Sequence, residues 1–318
     1  MATTYDLTTT YAGEAAAGYV AAALLSGTTL ANNGITVKPN IKYKEVLRKI
    51  STDDLVKDAT CDFDATSTIT QVEKILEPES FQVNLQFCKD DFVKDWDAAQ
   101  MGYSEWDELP KSFSDFMIAH VSAKVAQKIE ETIWTGVDAT DGEFDGFETL
   151  LTNNPEQPAA QEIAGTTLSA ANIQSQMALV VDAIPNRLYA NPDLRLYIPL
   201  SAYKFYVQSL AGFGTSGLGA AGVNTLGPNQ TMSLDGLVFN GVQIFVCNGM
   251  SNDVMICTTR DNLNFGTGLM SDQNLVKILD MEDIDLSSNV RFALRYSAAV
   301  QYIFGQDIVT YGITNTGN

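Results

Sequence analysis

Apolar residues recur four apart from Phe113 through Met117, Val121, Val125 and Ile129 to Ile133, with Phe116 and Trp134 beside them. This i, i+4 stripe predicts one long amphipathic helix over Ser112–Gly136 with a single buried face. Ser112 and Asp115 have the spacing of a capping box, Pro110 blocks continuation from upstream, and Gly136 can adopt the left-handed conformation that ends helices. At 1.5 Å per residue the helix spans roughly 35 Å, so a sheet or a second long element has to lie along it.

The period changes to two in Phe81–Phe87, where Phe81, Val83, Leu85 and Phe87 alternate with Gln82, Asn84 and Gln86. Weaker strands at Leu55–Phe63 and Ile69–Leu76 precede it, and residues 41–92 read as an extended hairpin. Two or three strands of this kind are marginal alone, so the apolar face needs a surface, expected on a neighbouring chain. Residues 1–40 are rich in Thr, Ala and Gly and form no core of their own; they read as an arm. After the long helix, a Gly- and Pro-bearing acidic connection marks a domain boundary. Leu168–Ile184 then reads as a helix stopped by Pro185, LRLYIPL as a strand, and SAYKFYVQSLAG as a further helix. A glycine-rich loop follows over Gly212–Asn229, and strands dominate from Leu237 to the end. Helices in the middle and strands toward the end predict an α+β fold rather than an alternating parallel sheet.

Composition narrows the function classes. The chain has 318 residues, 39 acidic against 19 basic, and a formal charge of −20, which argues against binding nucleic acid or an anionic membrane through a broad basic face. No apolar run is long enough to span a bilayer and the first 25 residues lack a basic n-region, so a soluble, cytoplasmically made protein is expected. Cys61, Cys88, Cys247 and Cys257 form no C-x-x-C pair, and with one histidine in the chain an ordinary zinc site is not expected. Two G-x-G-x-x-G matches, Gly212-Gly214-Gly217 and Gly217-Gly219-Gly222, follow a helix and open none, the wrong context for a dinucleotide cradle. Asp138, Asp141, Glu143 and Asp145 miss the spacing of a calcium loop and read as a solvated acidic turn. His120 lies one residue off the apolar stripe without a second histidine to work with. No active-site constellation emerges, and no cofactor is expected.

Taken in order, the elements resemble those of the major capsid proteins of tailed bacteriophages, with the HK97 fold. The order is an arm, an extended hairpin ending FQVNLQFCKDDFVKDW, a long helix, a mixed domain with a glycine loop, and a β-rich return. The phrases PDLRLYIPLSAYKFYVQSL, LDGLVFNGVQIFVCNGMSNDVMICTTRDNLNFGTGL and VRFALRYSAAVQYIFGQDIVTYG are similar to that family's strand-then-helix, strand-turn-strand and closing strands. The resemblance implies a division into an N-arm (1–40), an E-loop hairpin (41–92), a peripheral domain with its spine helix (93–165, helix 112–136), and an axial domain with returning strands (166–318). It places Phe81, Val83, Leu85 and Phe87 at an inter-subunit contact and Gly212, Gly214, Gly217, Gly219 and Gly222 on a loop at the symmetry axis. It implies a non-enzymatic shell of hexamers and pentamers around double-stranded DNA held without specific contacts. The head would be assembled in the bacterial host cytoplasm. A separate scaffolding protein is implied because no highly charged helical stretch precedes the arm, with a portal and decoration proteins as further partners. Encapsulin nanocompartments share the fold and form the nearest alternative. An acidic cytosolic carbohydrate-binding module or carboxylate enzyme is the alternative from another class.

Overall fold

The computed structural model describes residues 28–52, 68–88, 111–210, 238–268 and 276–317, together with Val56, Asp58 and Cys61. The N-terminal half comprises α1 (Thr28–Ala31), β1 (Thr36–Lys38), β2 (Glu45–Thr52), β3 (Ile69–Leu76), β4 (Glu79–Cys88), the long helix α2 (Lys111–Thr135), α3 (Phe147–Leu151) and β5 (Glu162–Ile163). There follow α4 (Ile173–Asp182), α5 (Asn186–Tyr189), β6 (Leu194–Pro199), α6 (Leu200–Leu210), β7 (Val238–Phe239), β8 (Val242–Cys247), β9 (Met255–Thr259) and β10 (Leu263–Thr267). The chain closes with β11 (Val276–Asp280), α7 (Glu282–Asp285), β12 (Asn289–Tyr302) and β13 (Val309–Tyr311).

Strand β12 organises the first sheet. Ten of its 14 residues, Asn289 to Ala298, pair antiparallel with β4 along one edge, while the other edge is shared between β11 at its start and β10 at its end. β1 adds parallel to β10. The second sheet runs β5-β13-β9-β6-β8-β7, and β2 with β3 make a separate antiparallel hairpin. The expected α+β class is what the chain adopts. The expected strand at Ile69–Leu76 falls where predicted, whereas most of Leu55–Phe63 lies outside the described residues.

The long helix earns its length from this sheet. Val121, Val125, Ile129 and Ile133 are buried in one cluster with Val290, Phe292 and Leu294 of β12 and Phe265 of β10. Four-residue spacing on the helix thus meets two-residue spacing on the strand. The side chains of Ser112, Phe113, Asp115, Phe116, Met117 and His120 lie outside the described residues. At the far end Trp134 is fully buried, its ring 5.4 Å from Phe147 and 5.5 Å from Tyr197, which is 5.6 Å from Phe245. This aromatic chain carries the core of the first sheet into the second. Gly136 ends the helix for a different reason from the one expected. It has no positive φ; a Cβ there would lie 2.3 Å from the Phe144 carbonyl oxygen, so the requirement is close backbone approach.

Two polar clasps hold distant segments together. Glu130, 4% exposed on the long helix, accepts the Thr28 hydroxyl (2.9 Å), the Thr29 hydroxyl (2.5 Å) and the Thr29 N–H (3.1 Å), and Trp134 Nε1–H donates to Thr29 Oγ1 at 2.9 Å. A buried carboxylate is tolerable here because donors surround it. Near the C-terminus, Asn315 Nδ2 donates to the Asn154 carbonyl (2.7 Å) while Asn154 N–H donates to Asn315 Oδ1 (3.1 Å), tying the last residues to the loop after α3.

Candidate assembly surfaces

The β2–β3 hairpin has two unlike faces, and pairing fixes which residues share each one. Leu47, Leu76, Lys49 and Lys74 point toward the body: Leu47 and Leu76 are buried with Ile41 and Ala299. Lys49 Nζ lies 3.1 Å from Glu156 Oε2, which also accepts the Gly305 N–H at 3.1 Å. Lys74 Nζ sits 3.3 Å from the Tyr302 ring centroid, and Gln301 Nε2 donates to the Ile75 carbonyl at 3.2 Å. Burial, opposed by the Glu156 charge and aided by the Lys49 charge, pushes the Lys74 ammonium down to about 8. Burial alone would raise Glu156, but the Lys49 hydrogen bond, the Lys74 charge and the Gly305 N–H outweigh it and leave its carboxyl below the usual range. The base of the hairpin is therefore bolted to the chain's own body.

Among the described residues the opposite face has no such cover. Val46, Ile50, Ile69 and Ile75 are 42%, 63%, 70% and 50% exposed, interleaved with the Arg48–Glu73 ion pair at 3.5 Å. Four β-branched aliphatic side chains on one face of a two-stranded ribbon form a patch of the kind that marks a protein contact.

Strand β4 corrects the sequence reading. It does not belong to the projecting hairpin but pairs over its whole length with β12. Phe81 is half-buried, its ring 5.4 Å from Tyr296 and 6.0 Å from Phe144, and Val83 packs on the same core. These two find part of their cover within their own chain, where the sequence reading had placed all four on a neighbour, because β4 lies along β12 at the edge of the first sheet. Leu85 is 40% exposed over the long helix, and Phe87 pairs with Val290 while its side chain lies outside the described residues. Gly212, Gly214, Gly217, Gly219 and Gly222 also lie outside them.

The acidic turn after the long helix is taken up by local bonds. Glu143 accepts the Val137 N–H and pairs with Lys128, and Asp145 accepts the Asp138 N–H at 2.9 Å. Burial and the nearby Asp138 carboxylate raise Glu79 beside it. Among the described residues no three His, Cys, Asp or Glu side chains converge as metal ligands do, and no described helix is long and apolar enough to cross a membrane. Cys247 and Cys257 are buried free thiols whose ionisation burial pushes up, the opposite of a reactive cysteine.

No family model matches the sequence, and no curated protein does. Solved structures do match in shape. The chain is similar to the capsid of a native GTA particle over 98% of its own length and 94% of that chain, with TM-score 0.59 at 10% identity. It is similar to a chain of Microbacterium phage Oxtober96 over 99% and 96%, with TM-score 0.54 at 15% identity. A chain of Mycobacterium phage Adephagia matches over 90% and 89%, with TM-score 0.56 at 14% identity. Likeness over nearly the whole of both chains at such low identity is a likeness of fold, and the fold is the α+β, HK97-like one that the resemblance implied.

Proposed function

We propose that this chain is the shell subunit of a tailed-phage head, self-assembling into hexamers and pentamers around double-stranded DNA. The observation that carries this is the hairpin: its inner face is fastened to its own body while its outer face presents Val46, Ile50, Ile69 and Ile75 to solvent. An isolated protein gains nothing from such a ribbon, whereas a closed assembly covers it on the next copy. The shape shared with a GTA particle capsid supports the same reading. Within it, residues 1–40 serve as the arm, 41–76 as the projecting hairpin, 93–165 as the peripheral domain and 166–318 as the axial domain with returning strands. The loop bearing Gly212, Gly214, Gly217, Gly219 and Gly222 faces the symmetry axis. Separate scaffolding and portal proteins, and decoration proteins, complete the head, which is built in the host cytoplasm and ends in the virion. The −20 charge keeps the packaged DNA from adhering to the wall.

Negative-stain electron microscopy of the expressed protein tests the reading, with Ile50→Asp/Ile75→Asp as the informative variant. Wild-type chains should form closed particles. The variant should stay soluble with unchanged circular dichroism and form none, since each carboxylate would have to be buried unpaired. Particles of normal yield from the variant would refute the role given to this face.

A further inference from the structure

The ladder that joins β4 to β12 carries complementary features at its two ends. At one end, the turn between β11 and β12 leaves Ile284 58% and Leu286 90% exposed. Leu286 sits at φ 58° and ψ 24°, the left-handed region that a leucine occupies only against steric strain. Glu282, Asp283 and Asp285 flank the two aliphatic residues in sequence, so the turn is an acidic, aliphatic knob. At the other end, beside Arg295–Ser297 and Ser80–Gln82, lies an open cavity of about 790 Å³. Ile41, Phe81 and Tyr296 supply its apolar wall, Lys42 and Arg295 its charge, and among the described residues no carboxylate lines it. That sign is unusual in a chain with twice as many acids as bases. From Asn289 at the knob end to Tyr296 at the cavity, β12 advances roughly 23 Å at strand rise, so the knob is held away from the cavity of its own sheet.

We propose that the acidic aliphatic turn of one copy of this chain inserts into the cationic, aromatic-walled cavity at the other end of the β4–β12 ladder in a neighbouring copy. The inference rests on the self-assembling reading given above. Leucine and isoleucine enter the apolar wall, the acidic sequence of the turn suits a cavity that carries Lys42 and Arg295, and the strained leucine is retained because its exposure has a use in the assembly. The contact joins two different patches, so it propagates head to tail and closes only when the copies form a ring or shell. Nucleic-acid phosphate is the weaker occupant, because a polyanion does not use the apolar wall and meets a chain of charge −20.

Mixed cross-linking of the full chain tests the contact, in a background with Cys61 and Cys88 changed to serine. L286C chains and S80C chains are mixed, assembled and treated with a short bismaleimide. A cross-linked dimer is expected in the mixed particles and in particles of neither variant alone. Particles lacking that dimer overturn the contact and leave the shell reading standing, whereas wild-type chains that never assemble overturn both. Leu286→Gly guards against a folding artefact, since glycine relieves the left-handed strain. Its urea midpoint should match the wild type while the fraction of chains in particles falls roughly ten-fold or more. Normal particles from Leu286→Gly would overturn the proposal, as would duplex DNA that the wild type holds and K42E/R295E releases.

Discussion

Lys74 brings its ammonium group to the ring face of Tyr302 and shares the Glu156 carboxylate with Lys49, so two cations and one anion meet at the root of the hairpin. With its folded value pushed down to about 8 from an ordinary 10.5, Lys74 loses its proton in the folded chain while the unfolded chain still holds it. Between those two values the unfolded state binds more protons, and stability contributed by this group rises with pH; below about 8 both states are charged and the burial penalty is present in full. The buried thiols of Cys247 and Cys257 act in the opposite direction above pH 9, since they stay protonated when folded and ionise when unfolded. The measurement is therefore a difference. Urea midpoints of the wild type minus those of Lys74→Met should grow from pH 7.5 to pH 10, and a difference that is flat or shrinks would mean the ammonium is not held in a desolvated site. None of this was legible in the sequence. Lys49 and Lys74 fall on strands that carry other charged and polar residues among their aliphatic ones, and nothing local says that Glu156, a loop residue far along the chain from both, is their partner. Glu130 was hidden in the same way, as one more acid in a helix whose polar face is expected to carry them.

At the scale of elements, periodicity located strands and the long helix but could not say which strand lies against which. The alternation in Phe81–Phe87 showed one apolar face, and both a projecting ribbon and an edge strand of the body's sheet satisfy that pattern; the choice is made by β12, two hundred residues away. The helix stripe was decisive because a face of that length admits few partners. Leu55–Phe63 and the glycine loop had no such constraint. The two ends of β4 should therefore respond differently in the isolated chain. Phe81→Ala strips a ring that packs on Phe144 and Tyr296 and should lower the unfolding free energy by about 2 kcal/mol, less than the roughly 3–5 kcal/mol of a fully buried aromatic because the ring is only half-buried. Leu85→Asp, at a position already 40% exposed, should stay within about 1 kcal/mol of the wild type. Urea titration of both gives the order directly. A Leu85→Asp chain destabilised more than Phe81→Ala would place the buried end of the strand where Leu85 is.

For the whole molecule the governing quantity is a charge of −20 that every copy brings to every contact. At 0.01 M salt the screening length is about 30 Å, comparable with the roughly 37 Å of the 25-residue helix, so most charges on one copy repel most of those on the next. At 0.15 M it falls to about 8 Å and only charges at the contact itself still act. Local attractions such as an acidic turn against Lys42 and Arg295 are weakened far less over the same range, because the groups are close and partly desolvated. Repulsion is thus long-ranged and lost with salt, attraction short-ranged and kept. Particle formation followed by light scattering should rise from 0.01 M to 0.15 M and then level off. Arg295→Glu should lower the plateau without moving the salt concentration at which the rise occurs, since one reversed side chain changes the contact but hardly the net charge. Scattering that falls over the same range would mean that attraction between unlike surfaces, rather than the overall acidity, controls how the copies meet.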